Sequence, residues 1–495
     1  MTTRGEGTPV LADLDPPLVW GFFEQITRIP HCSKKEQKIR VWIKEWATKQ
    51  NIPCSEDSVG NLLLSRAASP GCEDYPALVL QAHLDMVCVK EDGVSIDFDN
   101  DPIPVCLDGS SVSAEGTTLG ADNGIGVAYC LAALIDPRLT YGTLEVLLTV
   151  DEEDGATGAL GVQSGFFSGS YLLNLDSEET GIITVGTAGY EVADYSVPAR
   201  LETTTGYAAL SISIFGLAGG HSGIDIHRPR LNSIKLAIGA LEILRETFPV
   251  RIGRFEGGEA TNSIPARTGC TVLLPAESKR RGISLLEKWR EQTLSQFRVN
   301  EPGLEISINE VDQEKAYTRE RTETICRLLK EIPHGPLEFS KDIEGLVKSS
   351  NNLARVRGKE EGFEINASYR SSVELDELGR RLRSIGEKHG AEVKQHSRLP
   401  GWTAKPTSPF NRLVQEHYRA VLGKPVTQKA YHAGLECGIF MGIAPNLEMA
   451  SIGPEIRAVH TPAENVEIPS VALLWEVLSR IIAGMGELHR IRRKG

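Results

Sequence analysis

The stretch ALVLQAHLDMV, residues 77–87, decides the fold, because a mostly apolar run leads into a histidine and an aspartate. Residues 144–150 (LEVLLTV) and 170–175 (SYLLNL) repeat the pattern, and each leads directly into acidic side chains. Continuous apolar runs of this kind are typical of buried strands in a parallel sheet, and the helical segments between them favour an α/β fold. Because the carboxyl ends of such strands meet at one edge of the sheet, functional side chains are expected there.

Seven side chains at these strand ends and in two further loops predict one site for divalent metals. They are His83 and Asp85 in LQAHLDMV, Asp122 in the glycine-rich turn LGADNGIG, Glu152 and Glu153 in TVDEEDG, Asp176 in LLNLDSEE, and His460 in AVHTPAEN. Carboxylates and imidazoles in this mixture suit zinc or a similar ion. Two metals close together can activate water and polarise a carbonyl, so the set predicts hydrolysis of an amide bond.

Each motif taken alone has a simpler interpretation. His83 with Asp85 can be a buried histidine beside a carboxylate, and Asp122 can be the N-cap of the helix that follows it. The acidic run 151–154 can be a solvated loop, although four carboxylates at one strand end repel one another without a cation. Their joint occurrence favours the metal site, in which adjacent glutamates can divide the roles of ligand and general base.

The length of 495 residues exceeds what one hydrophobic core usually supports, so two domains are expected. Residues 1–186 alternate strands and helices and predict the first part of a catalytic domain. Residues 187–399 alternate apolar and polar side chains around amphipathic helical segments, which predicts an inserted α+β domain. Residues 400–495 return to the first pattern and carry His460, so we expect a discontinuous catalytic domain.

Composition limits the partners and the compartment. Lysine and arginine number 53 against 66 acidic residues, and the net charge of −13 argues against nucleic acid or an anionic membrane. Neither the apolar core of a signal peptide nor an unbroken membrane-length apolar run is present, so a cytosolic location is expected. Nine dispersed cysteines without a CxxC pair predict reduced thiols.

Ser33 and Glu36 predict a capping box at the start of a helix over 34–49.

The motifs HLDMV, GADNGIG, DEEDGATGA, NLDSEE, GGHSGIDI, HAGLECG and GPEIRAVHTPAE follow one another along essentially the whole chain. In this order they resemble the di-zinc aminopeptidase and carboxypeptidase superfamily, and within it the Xaa-His dipeptidases of bacteria. The resemblance implies a mostly parallel-sheet catalytic domain with an inserted lid and dimerisation domain. It also implies a homodimeric metallopeptidase that hydrolyses Xaa-His (carnosine-like) and related dipeptides.

The same resemblance implies a role for each ligand. Asp122 would bridge two zinc ions, for which cobalt or manganese could substitute. His83 and Asp176 would complete one metal site, and Glu153 and His460 would complete the other.

Further roles follow from the resemblance for residues beside the metals. Glu152 would be the general base, and Asp85 would orient His83. His221, which in isolation could be an ordinary surface histidine, would donate to the developing oxyanion in the partner subunit of a dimer. Three residues would bind substrate: Asn262, Arg370 and Gly434. An arginine suits a terminal carboxylate because its planar fork engages both oxygens, although Arg370 could equally form a salt bridge on a strand face.

Two alternatives to a dipeptidase stay open at this point. The same scaffold could act on N-acyl amino acids or on longer peptides, because the side chains that choose the substrate are not readable from the motifs. A non-catalytic, metal-dependent binding protein is the alternative from another class. The presence of Glu152 together with the complete ligand set argues against it.

Overall fold

The computed structural model describes residues 10–340, 345–372, 374–432 and 434–492. Residues 1–9, part of the stretch for which we predicted no signal peptide, lie outside the described residues. The described residues form two compact units. The first unit comprises the described parts of Met1–Thr187, Trp402–Ala430 and Leu435–Gly495, and the second those of Ala188–Gly401 and Tyr431–Gly434.

The helices and strands follow one another along the chain in three stretches. The first stretch contains α1 (Pro17–Ile26), α2 (Gln37–Lys49), β1 (Cys54–Glu56), β2 (Leu62–Arg66), β3 (Leu78–His83), β4 (Val105–Asp108), β5 (Ser111–Ala114), α3 (Ala121–Ile135), β6 (Leu144–Thr149), α4 (Thr157–Gly161), β7 (Tyr171–Asn174) and β8 (Ile182–Thr187). The second stretch contains β9 (Gly189–Thr203), β10 (Tyr207–Phe215), α5 (Ser233–Arg245), β11 (Arg251–Gly257), β12 (Thr268–Pro275), α6 (Lys279–Phe297), β13 (Glu305–Val311), β14 (Lys315–Tyr317), α7 (Arg319–Glu331), β15 (Gly335–Phe339), β16 (Val347–Gly358), β17 (Glu361–Ser371), α8 (Leu375–Lys388) and β18 (Glu392–Leu399). The last stretch contains α9 (Pro409–Leu422), β19 (Thr427–Tyr431), α10 (Cys437–Ile443), β20 (Glu448–Ser451), β21 (Ile456–Arg457), β22 (Asn465–Glu467) and α11 (Ile468–Arg492).

The first unit is built on an eight-stranded sheet with the order β1-β2-β6-β3-β7-β20-β8-β19. Strands β6, β3, β7 and β20 in its centre are parallel to one another, whereas β1, β2 and β8 pair antiparallel at the flanks. Every residue of β3 and β6 is buried, as expected for strands covered on both faces. The predicted α/β fold with a mostly parallel central sheet is therefore confirmed.

The second unit is built on an antiparallel sheet with the order β13-β10-β12-β11-β16-β17-β9-β14, to which β15 adds at β16 and β18 at β9. Helices α5 to α8 pack on its strands. Helix α8 shows why: Leu375, Leu378, Leu382 and Ile385 recur on one helical face and lie in the same core as Phe363. The alternating segments of the sequence are thus the antiparallel strands of this unit.

Helix α11 is long and apolar enough over Ile468–Arg490 to cross a membrane, by length and composition. Its side chains Val471, Leu474, Leu478 and Ile481 are buried in the core of the first unit. A buried core helix and a membrane span can have the same length and composition. Because these side chains are buried within the protein, we interpret α11 as a core helix.

The cysteines depart from the prediction at one pair. Cys32 and Cys88 form a disulfide with their Cα atoms 5.7 Å apart, so the expectation that all thiols are reduced is wrong for them. The seven other cysteines are free, and all of these except Cys54 are buried.

The predicted capping box before α2 is also wrong. Helix α2 begins at Gln37, and the Ser33 hydroxyl donates to Asp85 Oδ2 over 2.8 Å instead of capping it. The Glu36 carboxylate accepts a hydrogen bond from the backbone N–H of Asp151 over 3.0 Å. Both side chains therefore connect the start of α2 to the loops that follow β3 and β6.

Candidate metal centre

The side chains expected to bind metal lie where the central elements of the first sheet end. His83 is the last residue of β3, and Glu153 and Asp176 follow β6 and β7. Asp122 lies in the first turn of α3 with backbone angles that are not helical, and the N-cap position is Gly120. Because the N-cap residue is Gly120, the interpretation of Asp122 as a simple N-cap is wrong.

Asp122 lies between two histidines. Its Oδ1 is 3.1 Å from His83 Nε2, and its Oδ2 is 3.3 Å from His460 Nε2. Asp176 Oδ1 is 3.2 Å from the same nitrogen of His83, and Glu153 Oε1 is 2.7 Å from His460 Nε2. The five side chains therefore form two groups of three that share Asp122.

The electrostatics of this cluster test whether a cation fits. Burial would lower the pKa of His83, but the carboxylates of Asp176 and Asp122 outweigh it and raise that pKa well above its usual value. Hydrogen bonds to Asp122 and Glu153 raise the pKa of His460 to about 11, and burial raises the pKa of Asp176 to about 7. Protons here take the place of a positive charge that a divalent ion would supply, so this donor set fits a metal.

The ring of His83 lies against Asp85. Its Nδ1 lies 3.0 Å from the backbone oxygen of Asp85 and 3.4 Å from Asp85 Oδ1. The closest partner is thus the main-chain carbonyl, which accepts from Nδ1–H, so that Nε2 faces the carboxylates of Asp122 and Asp176. The Asp85 carboxylate accepts the backbone N–H groups of Glu152 and Glu153 over 2.9 and 3.2 Å. Asp85 therefore also fixes the turn that carries the two glutamates.

Glu152 differs from its neighbour Glu153. Among the described residues, the Glu152 carboxylate has no hydrogen bond or ion pair, whereas Glu153 contacts His460 directly. Burial raises the pKa of Glu152 well above its usual value, and the charge of His83 opposes this shift. A carboxylate beside the ligands, without being bound to them, has the position that a general base requires.

With this geometry established, comparison with known proteins gives the family. The profile of Peptidase family M20/M25/M40 matches residues 79–484. The chain belongs to this family.

Relatives of this peptidase family align over nearly the whole chain. The cytosol non-specific dipeptidase of Escherichia coli is 36% identical over 478 residues, which cover 95% of this chain and 98% of the relative. The crystal structure of aminoacylhistidine dipeptidase from Vibrio alginolyticus is 34% identical with a TM-score of 0.89, covering 95% of this chain and 97% of that one. A tripeptidase from Staphylococcus aureus, 15% identical, shares the fold with a TM-score of 0.55 over 96% of this chain and 99% of its own. The family resemblance predicted from the motifs is confirmed.

The second unit of this family M20 chain carries its own polar cluster around Gly223. His221 Nδ1 accepts the backbone N–H groups of Gly223 and Ile224 over 3.2 and 3.1 Å, so a neutral His221 carries its proton on Nε2. Arg370 is 6% exposed, and its guanidinium carbon lies 4.5 Å from the centre of the Tyr190 ring. A Cβ atom at Gly223 would come within 3.1 Å of both Arg370 Nε and His221 Cε1. The missing side chain thus lets the imidazole and the guanidinium lie close together.

Arg370 lacks the salt bridge that was its simpler interpretation. No carboxylate pairs with it in the described part of the chain, its Nε has no hydrogen-bond partner there, and burial lowers its pKa to about 10. Of the other residues predicted to bind substrate, Asn262 adjoins this loop through its backbone oxygen, which accepts the N–H of Ser222 over 2.7 Å. Gly434 is exposed, and no described contact joins it to the cluster.

Two buried carboxylates beside the centre had no catalytic role in the sequence analysis. Glu436 is 1% exposed; its Oε2 accepts from Gln81 and Thr149 over 2.6 and 2.7 Å, and its Oε1 has no partner among the described residues. Burial raises its pKa to about 8. Glu464 is 2% exposed and lies in the same loop as His460. The one feature of the sequence that could have indicated a role for Glu464 is its place in HTPAE, four residues after the proposed ligand His460.

Proposed function

We propose that this family M20 chain is a dipeptidase that hydrolyses Xaa-His and related dipeptides at a centre of two divalent metals. The observation that carries the proposal is Asp122, whose two oxygens lie 3.1 Å from His83 Nε2 and 3.3 Å from His460 Nε2. One carboxylate shared by two ligand groups suits a pair of ions rather than a single one. The names of the relatives in Escherichia coli and Vibrio alginolyticus, both dipeptidases, support the substrate class.

The proposed ligands divide around the shared carboxylate of Asp122. His83 and Asp176 would hold one ion, and Glu153 and His460 the other. The mixture of imidazole and carboxylate donors supports zinc, with cobalt or manganese as substitutes, over magnesium or calcium, which prefer oxygen ligands. When bound, two such ions would polarise the peptide carbonyl and lower the pKa of a water molecule.

Glu152 is the proposed general base. Its carboxylate would take a proton from the attacking water and return that proton to the nitrogen of the leaving amino acid, which restores the carboxylate for the next cycle. Its raised pKa supports this role, because it makes the carboxylate a stronger base towards the proton of the water. Its freedom from the two histidines supports a base rather than a ligand.

The two ends of a dipeptide carry opposite charges, so each needs a protein partner of the other sign. Glu178 is proposed for the free amine, because burial and the charges of Asp122 and Asp176 raise its pKa to about 8, and an ammonium group would favour its charged form. Arg370 is proposed for the terminal carboxylate, which is supported by its buried guanidinium, unpaired among the residues that the structure describes. His221, whose Nε2–H is free to donate, is proposed for the oxyanion, a role worth about 3 kcal/mol in comparable sites. Asn262 and Gly434 are proposed as further substrate contacts on the family resemblance alone.

We propose that the second unit also serves as a lid and forms a homodimer with its copy. The resemblance to the di-zinc superfamily supports this, and so does Ile224, a large apolar side chain that is 59% exposed close to His221. A cytosolic location is supported by the name of the relative in Escherichia coli and by the free cysteines.

A dipeptide panel tests the proposed function. Zinc-loaded and chelator-stripped protein would be incubated with carnosine, Gly-His, Ala-Ala and N-acetyl amino acids while free amino acids are measured. Zinc-dependent release from the Xaa-His members is expected, and equal rates with Ala-Ala would point to a broad range, as the name of the relative in Escherichia coli implies for that enzyme. Cleavage of the N-acetyl compounds alone would identify a deacylase. Two bound metals without any cleavage would favour a binding protein.

A further inference from the structure

The Glu464 carboxylate accepts the backbone N–H groups of four consecutive residues. Its Oε2 receives those of Leu119 and Gly120 over 2.9 and 3.2 Å, and its Oε1 those of Ala121 and Asp122 over 2.8 and 3.3 Å. Glu464 is 2% exposed, so these bonds are made away from water. A single side chain therefore satisfies a whole turn of backbone donors at the residue that the two ligand groups share.

The local backbone explains why a carboxylate lies here. The first N–H groups of a helix have no partner within the helix, and residues 119–122 lead into α3. Gly120 adopts a left-handed φ of 73°, which turns successive N–H groups towards one side of the chain. The concave row of donors favours an anion, and the protein supplies that anion itself from a segment more than 340 residues later.

The loop that carries Glu464 also carries His460, and it is internally hydrogen-bonded. Thr461 Oγ1 donates to the backbone oxygen of Ala458 over 2.6 Å, and the N–H of Glu464 donates to the backbone oxygen of Thr461 over 3.0 Å. His460 itself has a left-handed φ of 63° and a side chain that is 47% exposed, so little packing surrounds it. The position of His460 thus depends on how this short loop is fixed at its Glu464 end.

We propose that Glu464 is a positioning residue that sets the distance between the two metal ligands Asp122 and His460. This inference rests on the proposed function, since it takes both as ligands. Both oxygens of the Glu464 carboxylate accept backbone N–H groups, so Glu464 acts through the backbone of Asp122 at one end and the loop of His460 at the other. Its loss should therefore weaken the ion held by His460 and Glu153 more than the ion held by His83 and Asp176.

Glu464→Gln is the near-isosteric test. A glutamine keeps one acceptor oxygen, but its amide NH₂ is a donor and would face two of the backbone N–H groups. The matched control is Glu145→Gln. Glu145 is 6% exposed and accepts the backbone N–H groups of Ser168 and Gly169 over 2.9 and 2.8 Å, at the end of β6 away from the metal ligands. Both variants remove bonds from a buried carboxylate to a loop, and only one of those loops carries ligands.

The experiment measures zinc affinity at each site by competition with a chromophoric chelator, with cobalt absorption as a second readout and kcat as a third. In Glu464→Gln we expect the zinc held by His460 and Glu153 to bind about 10- to 100-fold more weakly, the usual cost of losing an outer partner of a ligand, and the other zinc to lose less. Cobalt absorption should change more for the first site than for the second, and kcat should recover at excess metal. Glu145→Gln should bind both ions normally. Glu464→Asp, which keeps the charge, should show a smaller loss in the same direction.

Three results would overturn the inference. One is wild-type affinity for both ions in Glu464→Gln. Another is an equal loss in the Glu145→Gln control. The third is failure of both Glu464 variants to fold without metal while Glu145→Gln folds, because Glu464 would then be needed for the domain as a whole. If instead the wild-type protein binds fewer than two ions or cleaves no dipeptide, the proposed function fails first, and the two failures are thereby distinguished.

Discussion

Glu152→Gln and Glu153→Gln are the same chemical change at adjacent positions, and we expect them to have different consequences. Glu153 Oε1 lies 2.7 Å from His460 Nε2, within one of the two ligand groups, whereas the Glu152 carboxylate has no described partner. The backbone N–H of each residue is held by Asp85, over 2.9 Å for Glu152 and 3.2 Å for Glu153. Because these backbone bonds remain in both variants, neither substitution should displace the turn. Any difference between the two variants therefore comes from the side-chain carboxylates.

The expected magnitudes follow from these positions. General-base catalysis contributes about 100- to 10,000-fold to rate, which is about 3–5 kcal/mol, so Glu152→Gln should lose kcat by this factor and keep both metals. Glu153→Gln replaces a charged ligand oxygen by a neutral one. It should lose more metal affinity at the site containing His460 than the ~10–100-fold that outer partners of ligands typically cost. Its activity should return in part at high zinc, whereas that of Glu152→Gln should not.

The assay is metal content by atomic emission after dialysis, followed by kcat for the best dipeptide of the panel at rising zinc. Wild-type protein and Glu152→Asp, which keeps a carboxylate one methylene further back, serve as references. Substantial activity in Glu152→Gln would refute its role as the base. Loss of an ion from Glu152→Gln, or two tightly bound ions in Glu153→Gln, would refute the division of the two roles.

Asp122→Asn should lose both metals because each oxygen serves a different histidine; full retention of one ion by metal analysis would contradict the shared position. In metal-free protein the raised pKa of His460 means that the folded state binds the imidazole proton more tightly than the unfolded chain does. This proton therefore contributes its full stabilisation of the folded state below pH 6.5, and the contribution is lost as the pH rises towards about 11. The Tm of stripped protein should therefore fall between about pH 6 and pH 9 while that of zinc-loaded protein does not, and a rise in stripped protein would refute this account. Arg370→Ala should raise KM for free dipeptides by about 10- to 100-fold, the cost of one or two bonds to a charged group, and spare dipeptide amides; equal loss on both would exclude a carboxylate contact. His221→Ala should lower kcat by about 100- to 1,000-fold, and mixing it with Glu152→Ala should restore activity through heterodimers; absence of recovery would place His221 in its own chain or outside the reaction.

Sequence patterns predicted most of the proposed ligands because His83, Glu153 and Asp176 follow apolar strands and Asp122 lies in a glycine-rich turn. His460 lies in a loop without such a pattern. The short, mostly apolar runs before His83 and Asp176 predicted buried strands, and the carboxyl ends of parallel strands meet at one edge of the sheet. The same local reasoning failed at Ser33 and Glu36, which match a capping box in sequence. Their hydrogen bonds go instead to Asp85 and to a backbone N–H 115 residues away.

A hydrogen bond between a side chain and a distant backbone N–H group leaves no pattern in the sequence. Glu464 binds main-chain donors, and every residue except proline has a main-chain N–H group, so no side-chain pattern announces the contact. The disulfide between Cys32 and Cys88 could not be predicted from the sequence for a similar reason. Pairing depends on two loops meeting in space, 56 residues apart in the chain.

The place of β20 in the first sheet has a consequence for how the protein is made. Strands β7 and β8 are close together in sequence, yet β20 lies between them, and Ser451 bonds to Asn174 across a separation of 277 residues. A growing chain that has completed β8 therefore contains an open slot in its central sheet until the last part emerges from the ribosome. His460 and Glu464 arrive after the same delay. Truncated or stalled products would expose strand edges and lack the proposed metal ligand His460.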